Sequence, residues 1–169
     1  MFQLVEFYVN VINYCVFKFL NRLSKTIDKL NPIMYFDRIP RIKRNFEKHN
    51  TSLTEIVNKT WLDENTGFNI MYSTAAVTFI LYLIISCIFL FIYDFFRLES
   101  FFTWEIVAII SVIPAYLIYH FAIDKNQKYI LYFRKFDKKT KEIKRGYAIF
   151  SFLIILFSIL MFILSFQFI

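Results

Sequence analysis

Glycine and proline are nearly missing from this chain of 169 residues, at 2 and 3 copies, and cysteine and histidine number only 2 each. Each scarcity removes a class of function. Phosphate-cradling loops, the dinucleotide fingerprint and the G-x-S-x-G elbow all need glycine where backbone turns sharply or approaches a ligand, and none of these motifs occurs. Transporters built of broken helices need Gly or Pro interruptions at matched positions, and this chain has too few of either. Cys15 and Cys87 both fall inside apolar runs, where a thiol acts as a small buried hydrophobe, so no disulfide framework is expected. His49 and His120 stand far apart, without the further ligands at helical spacing that a metal site on one face requires. No catalytic residue, metal or cofactor is therefore expected, and the chain is not read as an enzyme.

What the chain has in quantity is apolar length. Three runs, Ile70–Tyr93, Phe101–Ile123 and Tyr147–Ile169, are each 23 or 24 residues long. At ~1.5 Å rise per residue each suffices to cross a hydrocarbon core of roughly 30 Å. The last carries no charge, and none has a polar face wide enough for water. The expected fold is an all-α integral membrane protein, a small bundle of three transmembrane helices plus an N-terminal helix. Division into 1–67, a helix with a basic connecting segment, and 68–169, the membrane core, follows from the same runs. Ile, Phe, Tyr, Asn and Lys supply 83 of the 169 residues, a skew toward A/T-heavy codons that points to an organellar genome or a low-GC bacterium.

The N-terminal helical candidate, Met1 to Leu30, is less plain. Gln3, Glu6, Asn10 and Asn13 interrupt its apolar run at intervals of 3, 4 and 3, which makes one narrow polar stripe on a helix. Asn21, Ser24 and Asp28 continue the stripe, with Phe17 its apolar member. Two arrangements fit: a fourth crossing with the stripe turned toward helices, or an interfacial helix with the stripe toward water. A cleaved signal peptide is not expected, because no basic stretch precedes the run and no Ala-x-Ala site follows it. Asn31–Pro32 should end this helix, and the basic DRIPRIKRNFEKHN reads as a surface-lying link. Ser52 with Glu55 three residues on predicts a capped helix start, and Leu53, Ile56, Val57 and Trp61 share one side of that helix. Trp61 is expected at headgroup level, and Asp63 to Gly67 break the helix.

Only Asp94–Ser100 separates the first two long runs, which predicts an antiparallel hairpin. Pro114 should kink the second crossing. Between the second and third runs, Asp124–Gly146 reads as a basic inside loop, best drawn as a helical extension with a turn near Asp137. Its Arg134, Lys135, Lys138, Lys139, Lys141, Lys144 and Arg145 adjoin a membrane span, so anionic headgroups are the expected partners and nucleic acid is not. Ser151, Ser158 and Ser165 recur every seven residues as a small-residue seam, unless their hydroxyls simply bond back to their own helix. Glu6 and Glu105 are the only candidates for a proton relay, and a weak pair, since Glu105 lies a turn from a helix start.

Function is correspondingly open. The features fit a non-catalytic structural or accessory subunit of a larger membrane complex, such as a respiratory complex of the mitochondrial inner membrane, held to other integral membrane proteins. A small immunity protein of the bacterial inner membrane that neutralises a toxin fits the size and the basic loops too. A transport protomer fits less well, given so few intramembrane charges. The net charges of Arg22–Lys59, Asp94–Ser100 and Asp124–Gly146 are +5, −1 and +6, which puts both basic segments on the matrix or cytoplasmic side. A cysteine placed in Asp94–Ser100 should then react with an impermeant thiol reagent from outside, and one at Lys138 should not until the membrane is opened. The reverse labelling pattern would invert the orientation.

Overall fold

The computed structural model describes residues 2–28, 35–36, 39–97 and 103–165. Its elements are helices α1 (Phe2–Asp28), α2 (Pro40–Glu47), α3 (Leu53–Leu62), α4 (Phe68–Phe95), α5 (Trp104–Tyr119), α6 (Lys128–Asp137) and α7 (Lys141–Ser165). Three helical stretches, Phe68–Phe95, Trp104–Asp137 and Lys141–Ser165, are long and apolar enough to cross a membrane, and α1 is not among them. The protein is thus an all-α membrane bundle with one additional N-terminal helix. Two units divide the chain, Met1–Cys15 with Thr74–Ile169, and Val16–Ser73.

The smaller unit holds the second half of α1, α2, α3 and the start of α4. Asn69 donates from Nδ2 to Asn21 Oδ1 at 2.7 Å and to Ser24 Oγ at 3.0 Å, and the Ser24 hydroxyl lies 3.2 Å from Asn69 Oδ1. The later part of the polar stripe therefore bonds to α4. Lys18 pairs with Glu64 at 3.5 Å, and Phe17, the apolar member of the stripe, is fully buried. The expected surface link contains a helix: Pro40 takes the first turn of α2, where its missing N–H costs nothing. Asn50 ends that segment at φ 51°, a left-handed conformation Asn tolerates well. The Ser52 hydroxyl accepts the Glu55 amide at 3.1 Å, so α3 starts where its cap predicts.

The turn from α3 into α4 is tight. Asp63 Oδ1 accepts the amides of Asn65 at 2.6 Å and Thr66 at 3.0 Å, and those bonds hold its carboxyl below the ordinary carboxylate range. A carboxyl pKa lowered on folding adds stability above its unfolded value, and that contribution is lost as pH falls through the folded one. Gly67 closes the turn, and a Cβ there would meet Asp63 O at 2.5 Å, Asp63 N at 2.7 Å and Trp61 O at 2.9 Å, all backbone.

In the larger unit α4 buries one stripe, Val77, Ile80, Leu83, Cys87, Leu90 and Tyr93, at helical spacing. It does not run on through the connector, since Arg97 is left-handed at φ 51°. Leu98–Phe102, and with them most of the expected hairpin turn, lie outside the described residues, as do Asn31–Pro32 and Phe166–Ile169. Helix α5 passes through Pro114 and buries only its small residues Ser111 and Ala115. It widens to a π turn over His120–Asp124 and stops at Asn126 and Gln127, both left-handed at φ 61° and 51°.

The expected helical extension is present as α6, set off from α5 by two consecutive left-handed residues. Helix α6 buries Tyr129, Ile130, Phe133 and Phe136, and the two Phe rings are fully enclosed. The turn expected near Asp137 is present, where α6 ends and α7 starts four residues later. Replacing Gly67 with Ala should destabilise the α3–α4 turn by about 1–3 kcal/mol, since all three obstructing atoms are backbone and cannot swing aside. Thermal unfolding in detergent measures this, and an unchanged midpoint would show that the turn opens freely.

Candidate functional site

The polar groups that the sequence singles out on α1 meet α6 and the π turn. Glu6 is 14% exposed in its side chain, and its two oxygens have separate donors. Lys128 Nζ donates to Oε2 at 2.7 Å and the Tyr132 hydroxyl donates to Oε1 at 3.1 Å. The same ammonium donates to the Phe121 carbonyl at 3.1 Å. One turn along, Asn10 Nδ2 donates to the Ala122 carbonyl and to the Glu6 carbonyl, both at 2.8 Å. Carbonyls near the end of a helix run short of helical donors, which is why a side-chain amide can dock at Ala122. A third tie sits further on, where the Tyr14 hydroxyl donates to Asp137 Oδ1 at 2.7 Å and Lys144 Nζ donates to the Asp137 carbonyl at 2.8 Å.

Aromatic rings fill the space between these ties. Phe7 stands edge-on to Phe136 at 5.7 Å, Tyr147 at 6.2 Å and Tyr132 at 6.4 Å. Tyr14 does the same to Phe133 and Phe136, both at 5.5 Å, and Tyr8 meets Phe150 at 5.1 Å. Edge-to-face pairs of this kind add about 0.5–1.5 kcal/mol each beyond the area they bury. The six residues Val9–Tyr14 are all buried, which exceeds one full turn, so α1 is enclosed on every side there. Not every polar atom inside is matched. Asn10 Oδ1, both polar atoms of the Asn13 amide and Ser86 Oγ have no hydrogen-bond partner among the described residues.

Of the stripe residues expected at a helix interface, Glu6, Asn10 and Asn13 turn inward and Gln3 is exposed. The serine seam fits both of its readings. Ser151 Oγ donates to Tyr147 O at 2.8 Å, Ser158 Oγ to Ile154 O at 2.7 Å and Ser165 Oγ to Phe162 O at 2.7 Å. Ser151 and Ser158 are also buried, and Ser151 and Ser165 lie at the thiols of Cys15 and Cys87, so the seam faces helices of its own chain. The two relay carboxylates do not meet. Glu105 is exposed in the first turn of α5, while Glu6 joins the network at Phe121 and beyond, ~24 Å further along at helical rise. His120 Nδ1 lies 3.1 Å from Asp124 Oδ2 on the outside of the π turn. Among the described residues no three His, Cys, Asp or Glu side chains gather as metal ligands.

Arg134 and Lys135 on α6 and Lys138 and Lys139 just after it stay exposed and line a cleft with Leu131, while Lys141 and Arg145 are exposed at the start of α7. Sequence reasoning overlooked Lys128, Tyr132 and Asp137 as the partners of α1. A signal for the helix itself was present: Tyr129, Ile130, Phe133 and Phe136 recur at i, i+1, i+4 and i+7, the pattern of a one-sided apolar helix.

Replacing Glu6 by Gln or Lys128 by Met should each cost about 1–3 kcal/mol, by leaving a half-buried charge with one partner fewer. The double variant should lose less than the sum, and a double-mutant cycle on thermal unfolding reads the coupling. Strict additivity would mean that the pair contributes nothing jointly. The chain matches no family model, and neither a curated protein nor a solved structure is significantly similar to it.

Proposed function

We propose that this protein is a non-catalytic structural subunit of a larger membrane assembly, joined to neighbouring membrane proteins through the apolar faces of its spans. The observation that carries the reading is the contrast between α1 and α7. Glu6, Asn10 and Tyr14 of α1 bond to residues within the chain, whereas α7 has only 11% of its apolar window buried. Phe152, Leu153, Phe157, Leu160 and Ile163 are each at least half exposed along it. Such a surface suits lipid tails or the spans of a partner equally in polarity, and close packing with a partner gains dispersion contacts that fluid tails do not hold.

The same reading assigns the basic segments to the matrix or cytoplasmic side, where anionic headgroups attract Lys and Arg at roughly 1 kcal/mol per residue near the surface. A respiratory assembly of the mitochondrial inner membrane is the host that the codon-biased composition favours, with a bacterial inner membrane as the other setting. In this role Glu6 and Lys128 hold the bundle together, and Glu105 serves its own helix end.

Purification from native membranes in mild detergent, followed by mass measurement of the intact particle, tests the proposal. Stable recovery with several other membrane subunits is expected, and Glu105→Gln should leave that recovery unchanged. Recovery as a lone chain that moves protons or solute in liposomes would overturn it, as would recovery with a toxin as its sole companion.

A further inference from the structure

Four cations, two at the end of α6 and two in the turn after it, line one concave surface. Arg134, Lys135, Lys138 and Lys139, together with Leu131, line a cleft of about 410 Å³. All four charged side chains are exposed, and Leu131 is 65% exposed beside them. Among the described residues no carboxylate lines this cleft. The acid nearest in sequence, Asp137, is engaged by the Tyr14 hydroxyl on α1. Its carbonyl, at the negative end of the α6 dipole, accepts from the Lys144 ammonium, which offsets that end's repulsion of an anion.

The helix is also held rigidly. Phe133 and Phe136 on its other side are fully buried, so Arg134 and Lys135 stand on a fixed support, and Lys138 and Lys139 follow directly in the three-residue turn to α7. Its depth is fixed by its neighbours in the chain. The π turn joins it to α5, and three residues join it to α7, whose charges end at Arg145 and give way to an uncharged run. With α5 and α7 taken as the spans, α6 is assigned to the headgroup level between them, with an exposed leucine next to its charges.

We propose that this cleft binds the headgroup of a phospholipid carrying two phosphates, taken from the leaflet on the basic side. This rests on the reading of the basic segments as lipid-facing and gives it one site and one ligand class. Charge selects the ligand. A headgroup with a single phosphate diester neutralises one of four converging cations and leaves the rest in mutual repulsion. Arg134 and Lys135 belong to the last turn of α6 and Lys138 and Lys139 to the turn that follows it, so two adjoining elements supply the four charges. Two phosphates share the four charges, and Leu131 lies against the apolar glycerol and acyl region.

The test uses the full-length protein in detergent with defined lipid added, either cardiolipin or phosphatidylglycerol at twice the molar amount, so that total phosphate is equal. Bound lipid is counted by native mass spectrometry. The expected result is a preference of about tenfold for cardiolipin, lost in R134Q/K138Q and kept in the charge-preserving K135R/K138R/K139R. K43Q/R44Q on α2, which removes the same net charge elsewhere, should keep the preference. Equal, charge-dependent binding of both lipids would overturn the two-phosphate site and leave the general attraction to anionic headgroups standing. Equal losses in K43Q/R44Q and R134Q/K138Q would overturn the localisation to α6. Binding of neither lipid above the level of phosphatidylcholine would overturn both the site and the reading beneath it. Unfolding midpoints of all variants, taken alongside, separate loss of the site from loss of the fold.

Discussion

Everything in the larger unit depends on enclosing the polar residues of α1 within a mostly apolar bundle. An amide or carboxylate removed from water without a partner costs several kcal/mol, so the surrounding helices must either supply partners or leave that helix outside. Partners are supplied at three heights. Lys128 and Tyr132 take Glu6, the Ala122 carbonyl takes Asn10, and Asp137 takes Tyr14. The wide π turn and the break at Asn126–Gln127 lie beside these partners. They bring a carbonyl to Asn10 and turn α6 back so that its first residues reach Glu6. The match is incomplete at Asn13, whose amide is fully buried and unbonded among the described residues. Leaving it so opposes folding, and the aromatic contacts of Phe7 and Tyr14 act in the opposite direction.

Helix α6 serves two environments because it is short and strongly one-sided. Its ring-bearing face closes over α1, and its basic face is left exposed. A longer apolar helix would have entered the membrane, and a fully polar one would have left α1 uncovered. Joining two spans with such an element turns a connection into part of the core. The fully buried Phe133 and Phe136 come from this segment, and no residue of α2 or α3 is buried at all.

The long helices follow a different rule. Their outward faces carry Phe, Ile and Leu because hydrocarbon is the surrounding phase, so exposure of an apolar side chain there is no penalty. Their inward faces add small residues, Ser73 and Ser86 beside the large apolar stripe of α4, Ser111 and Ala115 on α5, and Ser151 and Ser158 on α7. Small residues let helix backbones approach, and serine hydroxyls return to their own carbonyls, as Ser111 does to Val107 at 2.8 Å, so burial leaves most of them satisfied.

Much of this was readable from residue order, for local reasons. Bilayer-length apolar runs fix spans because length and polarity are properties of the run itself. The cap at Ser52 and the turn near Asp137 are likewise set within a few residues. The stripe on α1 was readable as a stripe, but its direction was not, since water, lipid-buried partners and the chain's own helices all satisfy the same spacing. Tertiary structure decided that direction: Glu6 bonds to a lysine 122 positions away, and Asn10 to a carbonyl 112 positions away. It also decided the fate of α6, whose charge count outweighed its four-residue apolar pattern when read alone. Sequence determines what each segment requires of its surroundings, and only the folded chain determines which surroundings it receives, because contacts between distant residues depend on where the intervening helices turn.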